Sequence, residues 1–465
     1  MPANAPAWSN MWSRWANSAI KPIMAVDSQL GLARLLGIGA QAGPEERRAA
    51  LLSFACNFVL LGSYYILRPL RDTMGTVFGA DQLQNLYTGT FVVIFLFSPL
   101  FAFVAARVRL SVLLPGVFWF LLVNLLIFYG LFHLAPHNRW VAASYFCWFS
   151  AINLILISVF WTLMADVYSA SQATRLFAFV AAGGSLGAIS GPLITRAFVE
   201  KLGVDGLLLV AIAGFCVVIL LVHLVMGEKT KLRALGGDVQ QTTLDHNLPG
   251  NPFTGFELLF RSLFLMGQAV FFLFMTWIAT ILYFLQTDLI SKAYSVIEQR
   301  TIAFADVDLY VNISSAAILI LGQGRIMQRF GVTLSLMLSP VVMVAACLAL
   351  IAAPTLFMVQ VARSLQRITQ YGVARPSREV LFTVVDQQSK YKAKNVIDTV
   401  VYRFGDLTAA WMQAGMRAGG FGLLGAVILG TGVSTMWGFV AFALGRRYEA
   451  LSGARAAEPA PAPAE

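Results

Sequence analysis

The chain is 465 residues long, with 58% hydrophobic and 12% charged residues and a mean hydropathy of +0.72. A soluble domain carries roughly 25% charged residues, so this composition excludes a soluble enzyme, a disordered protein and a disulfide scaffold. It predicts an all-α polytopic membrane protein. The net charge of +10 does not by itself indicate nucleic-acid binding. The four cysteines lie singly in apolar runs, without disulfide or metal-ligand spacing.

The N-terminal segment, residues 1–48, is expected to be cytoplasmic. Trp8, Trp12 and Trp15 recur there at helical spacing and alternate with basic residues. Because Trp favours the headgroup region, this pattern predicts an amphipathic helix lying on the membrane. A loose tail with tryptophans placed by chance is the alternative.

Twelve apolar spans follow, and most are long enough to cross a hydrocarbon core of about 30 Å as a helix. Their approximate limits are 49–70, 84–106, 110–134, 140–165, 176–199, 206–226, 262–286, 303–322, 332–352, 355–374, 397–416 and 420–444. The fifth and eleventh spans are rich in Gly or polar residues and should face protein rather than lipid.

The longest hydrophilic stretch inside the bundle separates the sixth and seventh spans. We interpret residues 227–255 as a cytoplasmic linker between two six-helix halves, 49–226 and 256–447. This 6+6 arrangement of twelve transmembrane helices is typical of the major facilitator architecture. The Ala/Pro-rich residues 448–465 are expected to form a disordered tail.

The basic residues predict the orientation. Most of the 33 lysines and arginines fall in segments that are cytoplasmic if the N-terminus is inside. The positive-inside rule therefore predicts cytoplasmic termini and a multi-pass protein of the cell inner membrane. The same distribution explains the net charge without a nucleic-acid partner.

The tenth span carries the strongest candidate site. A charge at the bilayer centre costs roughly 2.5–3.5 kcal/mol and persists where it faces water or a partner. Arg363 and Arg367 are four residues apart, so they share a helix face that Tyr371 extends. Counted from Pro354, they lie roughly 14 and 20 Å along the helix. They predict an anion-binding cavity; the alternative is a helix that begins later, with both arginines reaching the cytoplasm.

The first span ends in Arg68, Pro69, Arg71 and Asp72. The proline predicts a disturbed helix, and transporters often place the backbone groups that such a break frees at a substrate site. An ordinary outer helix end with an Arg–Asp pair is the alternative.

The eighth span places Asp308, Asn312 and Ser315 in one polar stripe, whereas Asp306 points elsewhere. Asp308 is predicted either to take up a proton and couple transport to the proton gradient, or to neutralise an arginine across the halves. The intramembrane arginines favour the ion pair.

The eleventh span begins with a basic run that includes Lys394. It then carries Asp398 and Asp406 with Arg403 beside them, so it should line the cavity or the interface between the halves. We therefore assign substrate binding to Arg68, Arg71, Arg363, Arg367, Tyr371 and Lys394. We assign coupling or gating to Asp72, Asp308, Asn312, Asp398, Arg403 and Asp406.

Signals of an enzyme are poor. The four histidines are scattered, and none pairs with acids or cysteines at metal-ligand spacing. The sequence contains no phosphate-binding P-loop and no nucleophile elbow. We predict neither catalysis nor a metal site nor a cofactor.

Several short motifs are spread over both halves of the chain: Tyr65-Ile-Leu-Arg68, Arg71-Asp72-Thr73, Phe160-Trp161, Arg375-Pro-Ser-Arg378-Glu379, Asp386 to Lys394, and Ile397-Asp398. Together they resemble the nucleotide transporter (ATP/ADP translocase) family of plastids and intracellular bacteria. The resemblance implies a facilitator-like twelve-helix fold and exchange of ATP for ADP through a few essential Lys and Glu residues. Three charged positions of that family fall here at Phe149, Leu282 and Asp406. We therefore expect an anionic metabolite, phosphorylated or carboxylated, rather than strict ATP/ADP exchange.

The sequence thus predicts a secondary transporter that works by alternating access on an anionic organic metabolite, with nucleotide antiport as one form. A proton-coupled exporter of amphipathic compounds and a non-transporting membrane protein are the alternatives. The predicted partners are a small anionic solute and the lipid bilayer, with no nucleic acid, and the chain is expected to be a monomer.

Overall fold

The computed structural model describes residues 43–135, 138–235, 254–385, 393–394 and 396–457. The predicted interfacial helix lies outside the described residues, as does the greater part of the predicted linker.

The described secondary structure is entirely helical. The α-helices are α1 (Pro44–Phe78), α2 (Leu83–Arg107), α3 (Leu110–Leu134), α4 (Arg139–Val167), α5 (Ala170–Leu235), α6 (Thr254–Arg261), α7 (Leu263–Ala293), α8 (Ile297–Leu321), α9 (Gln323–Ala352), α10 (Leu356–Thr369), α11 (Arg375–Leu381), α12 (Tyr402–Ala418) and α13 (Leu423–Ala457). Two π-helical turns, Gln370–Ala374 and Ile397–Val401, precede α11 and α12 directly.

Nine of the described helices are long and apolar enough to cross a membrane. One of them is the 59-residue stretch Ser171–Lys229, which bends at Gly203, where the backbone takes φ 68° and ψ −179°. A positive φ suits glycine because it has no Cβ, and the bend separates the fifth and sixth predicted spans. The tenth and eleventh predicted spans correspond to α10 and α12, which are shorter and more polar than the nine.

The chain divides into two compact units. The first comprises residues 1–250 with Gln286–Ala316, and the second comprises Asn251–Leu285 with Ala317–Glu465. The second part of α7 and most of α8 therefore group with the first unit, although they follow the predicted linker in sequence.

In the first unit, α1 and α5 approach each other closely. A Cβ atom at Gly183 would lie 2.4 Å from the carbonyl oxygen of Phe54, and one at Gly187 would lie 2.2 Å from that of Phe58. Small residues four apart let two helix backbones touch in this way, as expected from the glycine-rich fifth span.

In the second unit, α13 packs along α9 and extends further than expected. A Cβ atom at Gly445 would lie 2.5 Å from Thr333 Oγ1, and the Thr333 hydroxyl donates a 2.7 Å hydrogen bond to Glu449. Residues 448–457, predicted to belong to the disordered tail, are helical. Their Ala, Leu, Glu and Arg residues favour a helix, and the bond to Glu449 anchors it.

Candidate functional site

The charged end of α1 lies in the first unit. Arg68 Nε is 3.7 Å from Asp308 Oδ2 on α8, and the Asp308 carboxylate is almost fully buried. The Arg68 guanidinium also lies 5.6 Å from the ring centroid of Tyr65. The structure therefore places Arg68 and Asp308 beside each other, as an ion pair between sequence-distant helices.

The helix is not broken at Pro69, because α1 continues to Phe78 with the proline inside it. The preceding turn is braced by α4, since the Tyr145 hydroxyl donates to the carbonyl of Leu67 at 3.3 Å. The proline therefore does not expose a broken helix as a binding element.

Arg71 pairs with its neighbour Asp72 and also donates to the Ser150 hydroxyl at 3.4 Å. Its guanidinium lies 4.9 Å from the ring centroid of Phe146. These contacts hold Arg71 between α1 and α4.

Two residues of α8 bond to α5 rather than to the α1 arginines. Asn312 donates to the carbonyl of Ala188 at 2.6 Å, and Asp306 forms a 2.8 Å ion pair with Arg196. Within the polar stripe predicted for the eighth span, Asp308 therefore contacts α1 and Asn312 contacts α5.

In the second unit, Arg363 is fixed by neutral acceptors. Its Nη1 donates to the carbonyl of Ala279 at 2.8 Å and to Gln366 Oε1 at 2.7 Å. The guanidinium also lies 5.6 Å from the ring centroid of Tyr283 on α7. These contacts connect the guanidinium to α7 and to the next turn of its own helix.

The next residues along this helix continue the cationic side. Arg367 is only 4% exposed and lies 5.9 Å from the ring centroid of Tyr371. Arg375 lies 4.9 Å from the same ring. We call Arg363, Arg367, Tyr371 and Arg375 the arginine face. The sequence predicts the first three of these residues, which are four positions apart, and the structure adds Arg375 at the same spacing.

The start of α12 and Arg363 contact neighbouring residues of α7, since Arg363 donates to the carbonyl of Ala279 and Asp406 accepts from Thr280. Arg403 Nη1 is 3.5 Å from Asp406 Oδ2, and Thr280 on α7 donates to Asp406 Oδ1 at 3.2 Å. The α12 candidates are therefore brought together with the α10 candidates in one unit.

A buried ion-pair network lies next to this group. Arg378 Nη2 is 2.6 Å from Asp398 Oδ1 and 3.5 Å from Glu379 Oε1, and Lys394 pairs with Glu379. Burial lowers the pKa of Arg378, but the two carboxylates outweigh it and raise the pKa above its ordinary value. Lys394 and Asp398 are thus linked through Glu379 and Arg378.

Arg375 and Arg378 belong to a motif of the family resemblance, but they are not among the site residues predicted from the sequence. Arg375 could have been found because it lies four residues beyond Tyr371. Arg378 could not, because its partner Asp398 is twenty positions away and only the fold brings them together.

Cations exceed carboxylates in this part of the second unit. From residue 363 to residue 406, the described side chains include six cations and three carboxylates: Arg363, Arg367, Arg375, Arg378, Lys394 and Arg403 against Glu379, Asp398 and Asp406. The excess positive charge can attract and hold an anion. In the described parts of the chain, no three His, Cys, Asp or Glu side chains cluster as metal ligands would.

The chain belongs to the Major Facilitator Superfamily, which matches residues 53–320, more than half of its length. No curated protein matches it. The family and the helical architecture confirm the predicted all-α, major-facilitator-type membrane fold. They define a multi-pass membrane transporter rather than an enzyme.

Several solved structures share this fold. A bacterial homologue of the human lysosomal transporter Spinster, inward-facing and unoccupied, is 14% identical, with a TM-score of 0.56 over 90% of this chain and 99% of that one. The nucleoside transporter NupG is 14% identical, with a TM-score of 0.53 over 88% and 99%. A bacterial homologue of the iron transporter ferroportin, inward-facing, is 12% identical, with a TM-score of 0.58 over 84% and 98%. At these identities the likeness concerns the fold and identifies no substrate.

Proposed function

We propose that the protein is a secondary transporter of an anionic organic solute and that the anionic group binds the arginine face of the second unit. The observation that carries this proposal is the succession of Arg363, Arg367 and Arg375 along the chain, with Arg367 and Arg375 beside Tyr371, in a region where cations outnumber carboxylates. A helix in a membrane protein bears the insertion cost of such residues where they meet a partner.

The chemistry of arginine favours phosphate or carboxylate as the bound group. A guanidinium is planar and remains charged, and its fork of N–H donors matches both anions in bidentate geometry. The hydrogen bonds from Arg363 to Ala279 and Gln366 orient this fork before a ligand arrives. Pre-orientation lowers the entropy lost on binding.

A nucleotide fits this class of solute. Tyr283 and Tyr371 lie beside Arg363 and Arg367, so an aromatic base could stack close to its own phosphates. The resemblance of several motifs to nucleotide transporters supports the same substrate. Exchange of one nucleotide for another is the corresponding mode of transport.

We propose alternating access as the mechanism, with ion pairs that break and form during the cycle. Asp308, Asp398 and Asp406 would exchange their arginine partners, and Arg68 and Arg71 would provide the anion contacts of the first unit. The protein would act as a monomer in the cell inner membrane with both termini cytoplasmic, as the distribution of basic residues predicts.

Uptake into proteoliposomes tests the proposal. The purified chain is reconstituted and supplied with radiolabelled nucleotides, sugar phosphates or dicarboxylates, with and without the same solutes inside. We expect one anion class to be taken up, and we expect Arg367→Gln to weaken its binding about 10- to 100-fold, as loss of a charge-assisted hydrogen bond implies. Arg367→Lys should retain part of the activity, because it keeps the charge but not the fork.

Arg329→Gln is the matched control, because Arg329 is an exposed arginine of the same unit that lies beside the ring of Phe330. It should transport as the wild type does. Uptake of every anion unchanged in Arg367→Gln, at equal protein levels, would refute the site. Thermal stabilisation by amphipathic compounds alone would favour the proton-coupled exporter instead.

A further inference from the structure

A cavity of the first unit is lined by none of the residues of the arginine face. It has a volume of about 460 Å³ and is lined by α1, α2, α3 and α4. This volume is within the range of ligand sites, roughly 300–1,000 Å³. None of the charged residues considered above lines it, so anion transport does not explain it.

The cavity is long and narrow. Its lining follows α2 from Asn85 to Phe97, twelve residues, which corresponds to about 18 Å of helix. Along this length α4 runs in the same direction as α2, because Gln82 contacts Arg139 and Leu86 contacts Cys147. The cavity therefore has two distinct ends.

One end is polar and positively charged. Arg139, the first residue of α4, holds its guanidinium 5.0 Å from the ring of Phe78 and 5.3 Å from that of Trp140, and both rings line the cavity. Arg139 also donates to Gln82 Oε1 at 2.8 Å. Asn85 lies on the lining one helical turn from Gln82.

The other end is entirely apolar and opens on the hydrophobic surface. It is formed by Val93, Phe97, Phe120 and Ile152. Phe120 is 46% exposed, and on the neighbouring turn of α2 Phe95 is 70% exposed. In a membrane transporter these side chains face the acyl chains of the bilayer.

We propose that this cavity is a phospholipid site, in which one acyl chain of a bilayer lipid occupies the apolar length and the lipid phosphate binds Arg139. A phospholipid has the required asymmetry, since its charged group and its hydrocarbon chain are at opposite ends. Arginine at the level of the headgroups binds phosphate in bidentate geometry. The site is independent of the transported solute, so its ligand is a resident of the membrane.

Native mass spectrometry of the full-length protein in detergent tests the site. Palmitoyl-oleoyl phosphatidylglycerol and the corresponding phosphatidylcholine are titrated separately, and the lipids retained are counted. We expect phosphatidylglycerol to bind more tightly than phosphatidylcholine, because its net charge is not offset within the headgroup. Arg139→Gln should bind phosphatidylglycerol about tenfold more weakly and lose the preference. Arg107→Gln is the matched control, since Arg107 also lies over a phenyl ring in the first unit.

A second variant tests the acyl-chain part. Ala143→Phe places a ring in the cavity and should abolish retention of one lipid of either kind, whereas Val217→Phe, on the exposed side of α5, should retain the wild-type number. If Ala143→Phe does not fold, Ser144→Leu fills the cavity from an exposed position. Wild-type lipid retention in a folded cavity-filling variant would overturn the proposal, as would an unchanged headgroup preference in Arg139→Gln.

Discussion

Replacement of Gly187 by alanine tests the contact between α1 and α5. The added Cβ atom would lie 2.2 Å from the carbonyl oxygen of Phe58 and 2.9 Å from the amide nitrogen of Gly62. Both neighbours are backbone atoms, so no side chain can rotate away. To restore a separation near 3.5 Å, the two helices must part by about 1 Å.

The energetic cost follows from this displacement. Overpacking of a close-packed interior costs roughly 1–3 kcal/mol. The upper end is expected here, because Gly183 and Gly191 make equally close contacts on the same face and lose them when the helices separate. At an unfolding entropy of about 2.1 cal/mol/K per residue, a loss of about 3 kcal/mol in a chain of 465 residues corresponds to a fall of roughly 3 °C in Tm.

Thermal unfolding of the purified protein in detergent measures this effect. Gly116→Ala is the control, because a Cβ atom there meets no atom within 4 Å. Alanine in place of glycine within a helix is stabilising by up to about 1 kcal/mol, so the control should melt at or above the wild-type temperature. If Gly187→Ala melts together with the wild type, the close approach of α1 and α5 is not a feature of the protein.

Two ion pairs give further predictions. Arg378→Gln leaves the carboxylates of Asp398 and Glu379 without their shared buried cation, so it should lower the free energy of unfolding by about 3–5 kcal/mol. Adding Asp398→Asn should restore part of this loss. Equal stability of the single variant and the wild type would contradict this interpretation. Asp308→Arg should abolish uptake, because it places a second cation where the Asp308 carboxylate now lies 3.7 Å from Arg68. The double variant Arg68→Asp with Asp308→Arg should restore measurable uptake. A folded but inactive double variant would show that transport does not depend on this ion pair.

The fold could be predicted from the sequence because membrane insertion is governed by local hydropathy. The fifth and sixth spans can be told apart in the sequence even though the structure joins them in one bent helix, because the apolar run is interrupted near Gly203. The sequence predicts a shorter last helix than the structure has, since α13 continues to Ala457. The Ala/Pro-rich end suggested disorder from residue 448, but the anchor between Thr333 and Glu449 comes from a distant helix and leaves no local signal.

The candidate site could be predicted only in part. Helical spacing identified Arg363 and Arg367 as one face, since that relation depends on a single helix. Spacing also grouped Asn312 with Asp308, yet Asn312 bonds to the backbone of Ala188. Partner choice of this kind depends on which helices become neighbours, so residue periodicity does not determine it.

The π-helical turn Gln370–Ala374 explains how the arginine face reaches Arg375. In a 3.6-residue helix, a spacing of four residues drifts around the axis by about 40° at each step. Three such steps would carry Arg375 far from the side of Arg363. A turn with i→i+5 hydrogen bonds rotates less per residue, so it counteracts the drift. Arg367 and Arg375 both lie beside the Tyr371 ring, at 5.9 and 4.9 Å from its centroid. Substitutions that convert this turn to a regular helix should therefore weaken anion binding without removing any charge.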